Sequence, residues 1–66
     1  MKNTGWVLFR GMEVSGIYTT YQNAIHAMMM RAKLPITEFL RDFGVDFFCD
    51  AEENSWSIEE FEIDKI

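Results

Sequence analysis

One cysteine and one histidine stand among the 66 residues of this chain, and their scarcity closes off several classes of protein. Cys49 alone cannot form an internal disulfide, and together with the single histidine, His26, it makes a poor structural zinc site. A free thiol is compatible with a reducing compartment. Nucleophilic catalysis needs a base beside its nucleophile, but His26 falls on the outward side of a helical pattern whereas Cys49 sits in an apolar run. A solvated histidine and a packed or half-exposed cysteine are the expected roles. Phosphate-cradling glycine loops are missing too. Asp42, Asp46 and Asp50 recur every four residues, and Asp50, Glu52, Glu53 and Asn54 cluster, but neither set has the alternating ligands, central glycine and terminal glutamate of an EF-hand. The expectation is a chain that is not an enzyme, with no catalytic residue, no metal and no cofactor.

Long hydrophobic runs are also lacking. No stretch approaches the roughly 20 apolar residues that span a bilayer, and no basic start precedes an apolar core, so a soluble, cytoplasmic protein without a membrane partner is expected. Bases are few: six Lys and Arg stand against eleven Asp and Glu, for a net charge of −5. With no basic patch interleaved with aromatics, direct binding of nucleic acid is not expected.

Apolar residues are plentiful, at 48% hydrophobic and 15% aromatic, which is enough for a packed core. A single domain over 1–66 follows, and at this length it buries only about 60% of the surface its unfolded chain exposes. Trp6, Phe9, Phe47, Phe48 and Trp56 are more large apolar groups than one thin core readily covers, so a homodimer is expected. The net charge hides an asymmetry: residues 1–33 carry +3 and residues 34–66 carry −8.

The clearest element is helical. Tyr21, Ala24, Ile25, Met28, Met29 and Ala32 form one continuous face at helical spacing, while Gln22, Asn23, His26, Met30 and Lys33 face away. Thr20, or Thr19 with Gln22 as a capping box, starts this helix; Arg31 and Lys33 suit its negative pole, and Pro35 ends it. Before it, Trp6–Arg10 and Val14–Tyr18 read as a hairpin turned at Gly11-Met12-Glu13, with Gly16 marking a bulge. After Pro35, Ile36, Phe39, Leu40 and Phe43 fall at helical spacing and Gly44 stands where a helix would stop, which predicts a second, short helix. Val45–Cys49 then reads as a strand and 50–55 as a hairpin loop. From Trp56 to Ile63 the apolar residues change phase, so a strand bulged near Glu59-Glu60 competes with a helix capped at Ser57; the strand is preferred because a helix there is short. The expected fold class is α+β: a small antiparallel sheet of three to four strands, with one main helix and a short second helix packed on one face.

The order of hairpin, then Gly16-Ile17-Tyr18-Thr19-Thr20-Tyr21-Gln22-Asn23-Ala24-Ile25-His26-Ala27 as strand into helix, then Trp56-Ser57-Ile58-Glu59-Glu60-Phe61-Glu62-Ile63-Asp64, resembles small accessory proteins of bacteriophages and prophages. The resemblance implies an accessory protein acting in the cytoplasm of a host cell, in a class that includes inhibitors of host enzymes and host defences. Joined to the charge asymmetry, it gives the functional expectation: a small acidic protein that binds and inhibits or modulates a host protein, the partner being one that itself binds nucleic acid. Carboxylates drawn from Glu52, Glu53, Glu59, Glu60, Glu62 and Asp64 would mimic the phosphates, with Trp56 as an aromatic anchor at the edge of that surface. The alternative is a structural or oligomerising module, in which the same carboxylates only keep a small protein in solution.

Overall fold

In the computed structural model, which describes residues 3–63, the first two apolar runs form the expected hairpin. Strand β1 is Asn3–Arg10 and strand β2 is Glu13–Tyr18, antiparallel, joined by a two-residue loop in which Gly11 takes φ +60°. Leu8 pairs with Gly16 but Phe9 pairs with Val14, so Ser15 is an extra residue, and the bulge falls beside Gly16 as expected. Its consequence is that Val14 and Ile17, three positions apart, face the same side of the sheet.

Helix α1, Tyr21–Arg31, starts at Thr20, whose hydroxyl accepts a hydrogen bond of 3.0 Å from the Asn23 amide. Ala24 and Met28 are buried, and Tyr21 and Ile25 are half-buried on the same stripe. The helix lies on one side of the sheet against β1, β2 and the last strand. There it closes a core of Leu8, Ala24, Met28, Trp56 and Ile58, with Trp6, Tyr18, Tyr21, Ile36 and Phe48 packed around it.

Beyond Pro35 the expected second helix is absent. Its place is taken by strand β3, Glu38–Asp42, in a hairpin with β4, Val45–Cys49. The turn between them holds Phe43 at φ 50° and Gly44 at φ 78°, and two consecutive positive φ values are what a tight two-residue hairpin demands. Gly44 therefore completes a turn and does not stop a helix. Ile36, Phe39, Leu40 and Phe43 fit helical spacing by coincidence: Phe39 and Leu40 point to opposite sides of a strand, opposite Phe48 and Phe47.

Strand β5, Ser55–Ile63, is regular, pairing with β1 from Arg10↔Trp56 to Asn3↔Ile63 with no bulge. It resolves the change of phase by using both sides: Trp56 and Ile58 enter the core, and Phe61 lies on the other side over Gly5, where a Cβ would overlap its ring. The result is a five-stranded antiparallel sheet in the order β2-β1-β5-β4-β3 with one helix. It corrects the expected sheet of three to four strands with two helices.

Candidate functional site

The strand geometry of β5 decides what becomes of the acidic residues. Successive side chains of a strand point to opposite sides, so Glu59 stands on the side away from α1, whereas Glu60 and Glu62 stand on the helix side. Glu52 and Glu53 lie on the loop before β5, a full strand length from Glu62, and Asp64 falls outside the described residues. Trp56, expected as an exposed anchor, is only 3% exposed; its indole Nε1 donates to Asp50 at 3.0 Å and the Arg10 guanidinium lies 5.8 Å over its ring. The described carboxylates therefore do not form one row.

Two other aspartates are consumed by the fold. Asp50 is buried and accepts five hydrogen bonds: from the amides of Lys33, Glu52 and Asn54 at 2.9–3.0 Å, from Asn54 Nδ2 at 3.1 Å, and from Trp56 Nε1. Burial alone would raise its pKa, but these donors outweigh burial and hold the carboxyl well below the usual carboxylate range. It ties the segment after α1 to the loop before β5. Asp46, also buried, receives Arg41 in bidentate fashion, Nε at 2.5 Å and Nη2 at 3.0 Å, and the Tyr21 hydroxyl at 2.5 Å. The Arg41 hydrogen bonds lower its pKa, partly opposed by burial and aided by Tyr21, while burial first and the Asp46 contact second raise that of Tyr21. A carboxylate that accepts three hydrogen bonds and is held ionised by Arg41 positions strands and is a weak base. His26 is exposed on the outer face of α1 and Cys49 is half-buried on the opposite side of the sheet, so the two do not meet. Among the described residues no three His, Cys, Asp or Glu side chains gather as a metal site.

What the structure does assemble is an apolar surface on the sheet side away from α1. Strand register places Val14, Phe9, Ser57, Phe47 and Leu40 in one row across all five strands. Beside it runs a second row: Ile17, Val7, Glu59, Val45 and Asp42. Val14, Ile17, Leu40 and Phe47 are 58%, 65%, 59% and 42% exposed, and no described element packs over them. At about 4.8 Å per strand the surface is about 24 Å wide, and two rows make a patch of roughly 400 Å², the size of the largest apolar patch on an ordinary monomer, which is often functional. Glu59 stands at the centre of the second row and Asp42 at its end, and no described Lys or Arg shares the face. The sequence signal for it was present in apolar residues of both parities, Trp6-Val7-Leu8-Phe9 and Phe47-Phe48, which no one-sided strand requires. A second apolar hollow lies beside α1, between Met28, Met29 and Leu34 on one wall and Phe39 and Phe48 on the other.

No family model, curated protein or solved structure matches the chain. Nothing in the fold or in these comparisons supports the expected phage-type inhibitor or the homodimer. Among the described residues no helix is long and apolar enough to cross a membrane.

Proposed function

We propose that this protein is a small acidic binding module that engages another protein through the open side of its sheet. The observation that carries the reading is the uncovered row Val14-Phe9-Ser57-Phe47-Leu40, flanked by Glu59. Apolar surface removed from water contributes roughly 25 cal/mol per Å², so such a patch supplies association energy that scattered carboxylates do not. Glu59 and Asp42 add steering and register. A phosphate-like row of acids gains no support from residues divided between two sides and two ends of β5. Binding here should therefore depend only modestly on salt, whereas a nucleic-acid mimic would lose affinity steeply.

The test is site-specific photo-crosslinking in the cells that make the protein. A reactive side chain at Phe47 or at Phe9 should yield one adduct mass, lost on Leu40→Asp in the same row, and the same group at Met30, 75% exposed on α1, should not yield it. Equal capture from Met30, or no adduct from either sheet position, would defeat the reading.

A further inference from the structure

Resting on the reading of the open side as a binding surface, we propose that the element it receives is an amphipathic helix with lysine or arginine beside its apolar stripe, lying along β5. Three features define this occupant. Ser57 sits between Phe9 and Phe47 in the first row, so two rings flank a small residue and leave a notch for one apolar side chain. Two residues along the same strand, about 6.6 Å away, stands Glu59, and positions i and i+4 of a helix are separated by about 6 Å, so one face of a helix sets an apolar group in the notch and a cation over Glu59. Any single segment laid on an apolar face must satisfy its own backbone N–H and C=O groups, which a helix does internally and an isolated extended strand does not.

Charge and area argue against a second copy as the occupant. Two such faces brought together would bury Glu59 and Asp42 against a surface with no described Lys or Arg, leaving carboxylates unpaired. They would also bury only roughly 800 Å² in total, against the about 1,200 Å² at which stable interfaces begin. One helix with a basic edge neutralises the carboxylates, and a transient contact of that kind suits a patch of this size. The sheet already accepts a helix on its other side, through Ala24 and Met28 of α1.

The probe is an 18-residue peptide of leucine and lysine patterned at helical spacing, about 27 Å long and so matched to β5. Its controls are an isomer of the same composition with alternating pattern and a leucine–glutamate version. Amide shifts measured by NMR should map the helical lysine peptide to Phe9, Phe47, Ser57 and Glu59, with none at His26. Glu59→Lys should weaken it at least about tenfold, whereas Glu53→Lys, an equal change of charge on the β4–β5 loop, should leave it within about twofold. The helical mode is overturned if the alternating isomer binds the face as tightly, if the two charge reversals weaken binding equally, or if the lysine peptide leaves the face unshifted. It is also overturned if the free protein shifts the same residues with its own concentration, which would make a second copy the occupant. In each case the crosslink from Phe47 reports separately whether the face binds any protein.

Discussion

The two sides of one sheet differ in a way composition does not foretell. Both are rich in aliphatic and aromatic groups, yet one is sealed by α1 over Leu8, Trp56 and Ile58 and stays open at the hollow beside Phe39, whereas the other exposes Val14, Ile17, Leu40 and Phe47 across its width. On the sealed side every buried polar side chain is answered: Asp50 by five donors, Asp46 by Arg41 and Tyr21. On the open side Glu59 stands between Val7 and Val45, an apolar setting for an acid. Stability is concentrated on one side and the proposed recognition on the other, so on that proposal substitutions of one chemical kind should have opposite consequences according to side.

The largest effect should come from placing a carboxylate in each. Ile58→Asp puts an unpaired charge where Ile58 is 1% exposed, which costs several kcal/mol and exceeds the margin of so small a domain. Phe47→Asp, on the adjacent strand but facing outward, should cost no more than about 1 kcal/mol while abolishing partner capture. Urea unfolding followed by circular dichroism reads the first quantity and the crosslink the second. Were Phe47→Asp to unfold the protein as readily as Ile58→Asp, the open side would be part of the core and the distinction would collapse.

Acid should unmake the sealed side next. Asp50 and Asp46 have folded pKa values below their unfolded ones, so the unfolded chain binds protons more tightly. The stability they contribute is complete above the unfolded carboxylate range, near pH 4, and is lost as pH falls toward the folded values. Tyr21 has the opposite sign: its raised pKa gives stability that is complete below about pH 10 and lost above it. The urea midpoint should therefore be flat from pH 6 to 8, fall below about pH 4, and fall less in Asp46→Asn, which starts lower. An acid limb of unchanged depth in Asp46→Asn would remove that carboxylate from the account.

How much of this was legible in the sequence follows the same division. The helix from Tyr21, its threonine cap, the first hairpin and the bulge by Gly16 follow from local rules of spacing and turn chemistry. The second helix failed because Phe39 and Leu40 satisfy both periodicities, and only a partner strand, β4, decides between them. The single acidic row was not formed for a related reason: Glu59, Glu60 and Glu62 are neighbours in sequence, but a strand sends them to opposite sides. Trp56 reads as an anchor by its nearness to acids, whereas Asp50, six residues away, draws its indole inward. The surplus of large apolar residues was visible; that Phe9 and Phe47 form the surplus while Trp6, Phe48 and Trp56 fill the core required the register.

A gentler contrast uses the notch. Ser57→Leu would fill the space between Phe9 and Phe47 without touching the core, leaving stability within about 0.5 kcal/mol. Docking of the helical lysine peptide should weaken at least about tenfold, because the side chain meant for the notch meets another. Unimpaired docking in Ser57→Leu, measured in the same NMR titration, would place the contact elsewhere on the face.

The smallest expected effect lies at the β3–β4 turn, between the two sides. Phe43 is held at φ 50° with its ring 97% exposed, so it bears the steric penalty of the left-handed region and recovers nothing by burial. That penalty is about 1 kcal/mol for a residue with a bulky Cβ substituent, and asparagine tolerates the conformation much better. Phe43→Asn should raise the urea midpoint by the equivalent of about 1 kcal/mol while preserving the Phe43-Gly44 hairpin geometry. Since Phe43 lies in neither apolar row, the variant should bind the helical peptide as the parent does. If it were more stable yet bound markedly less well, the tip of the hairpin would belong to the recognition surface, and the strained conformation would be explained by contact with the partner.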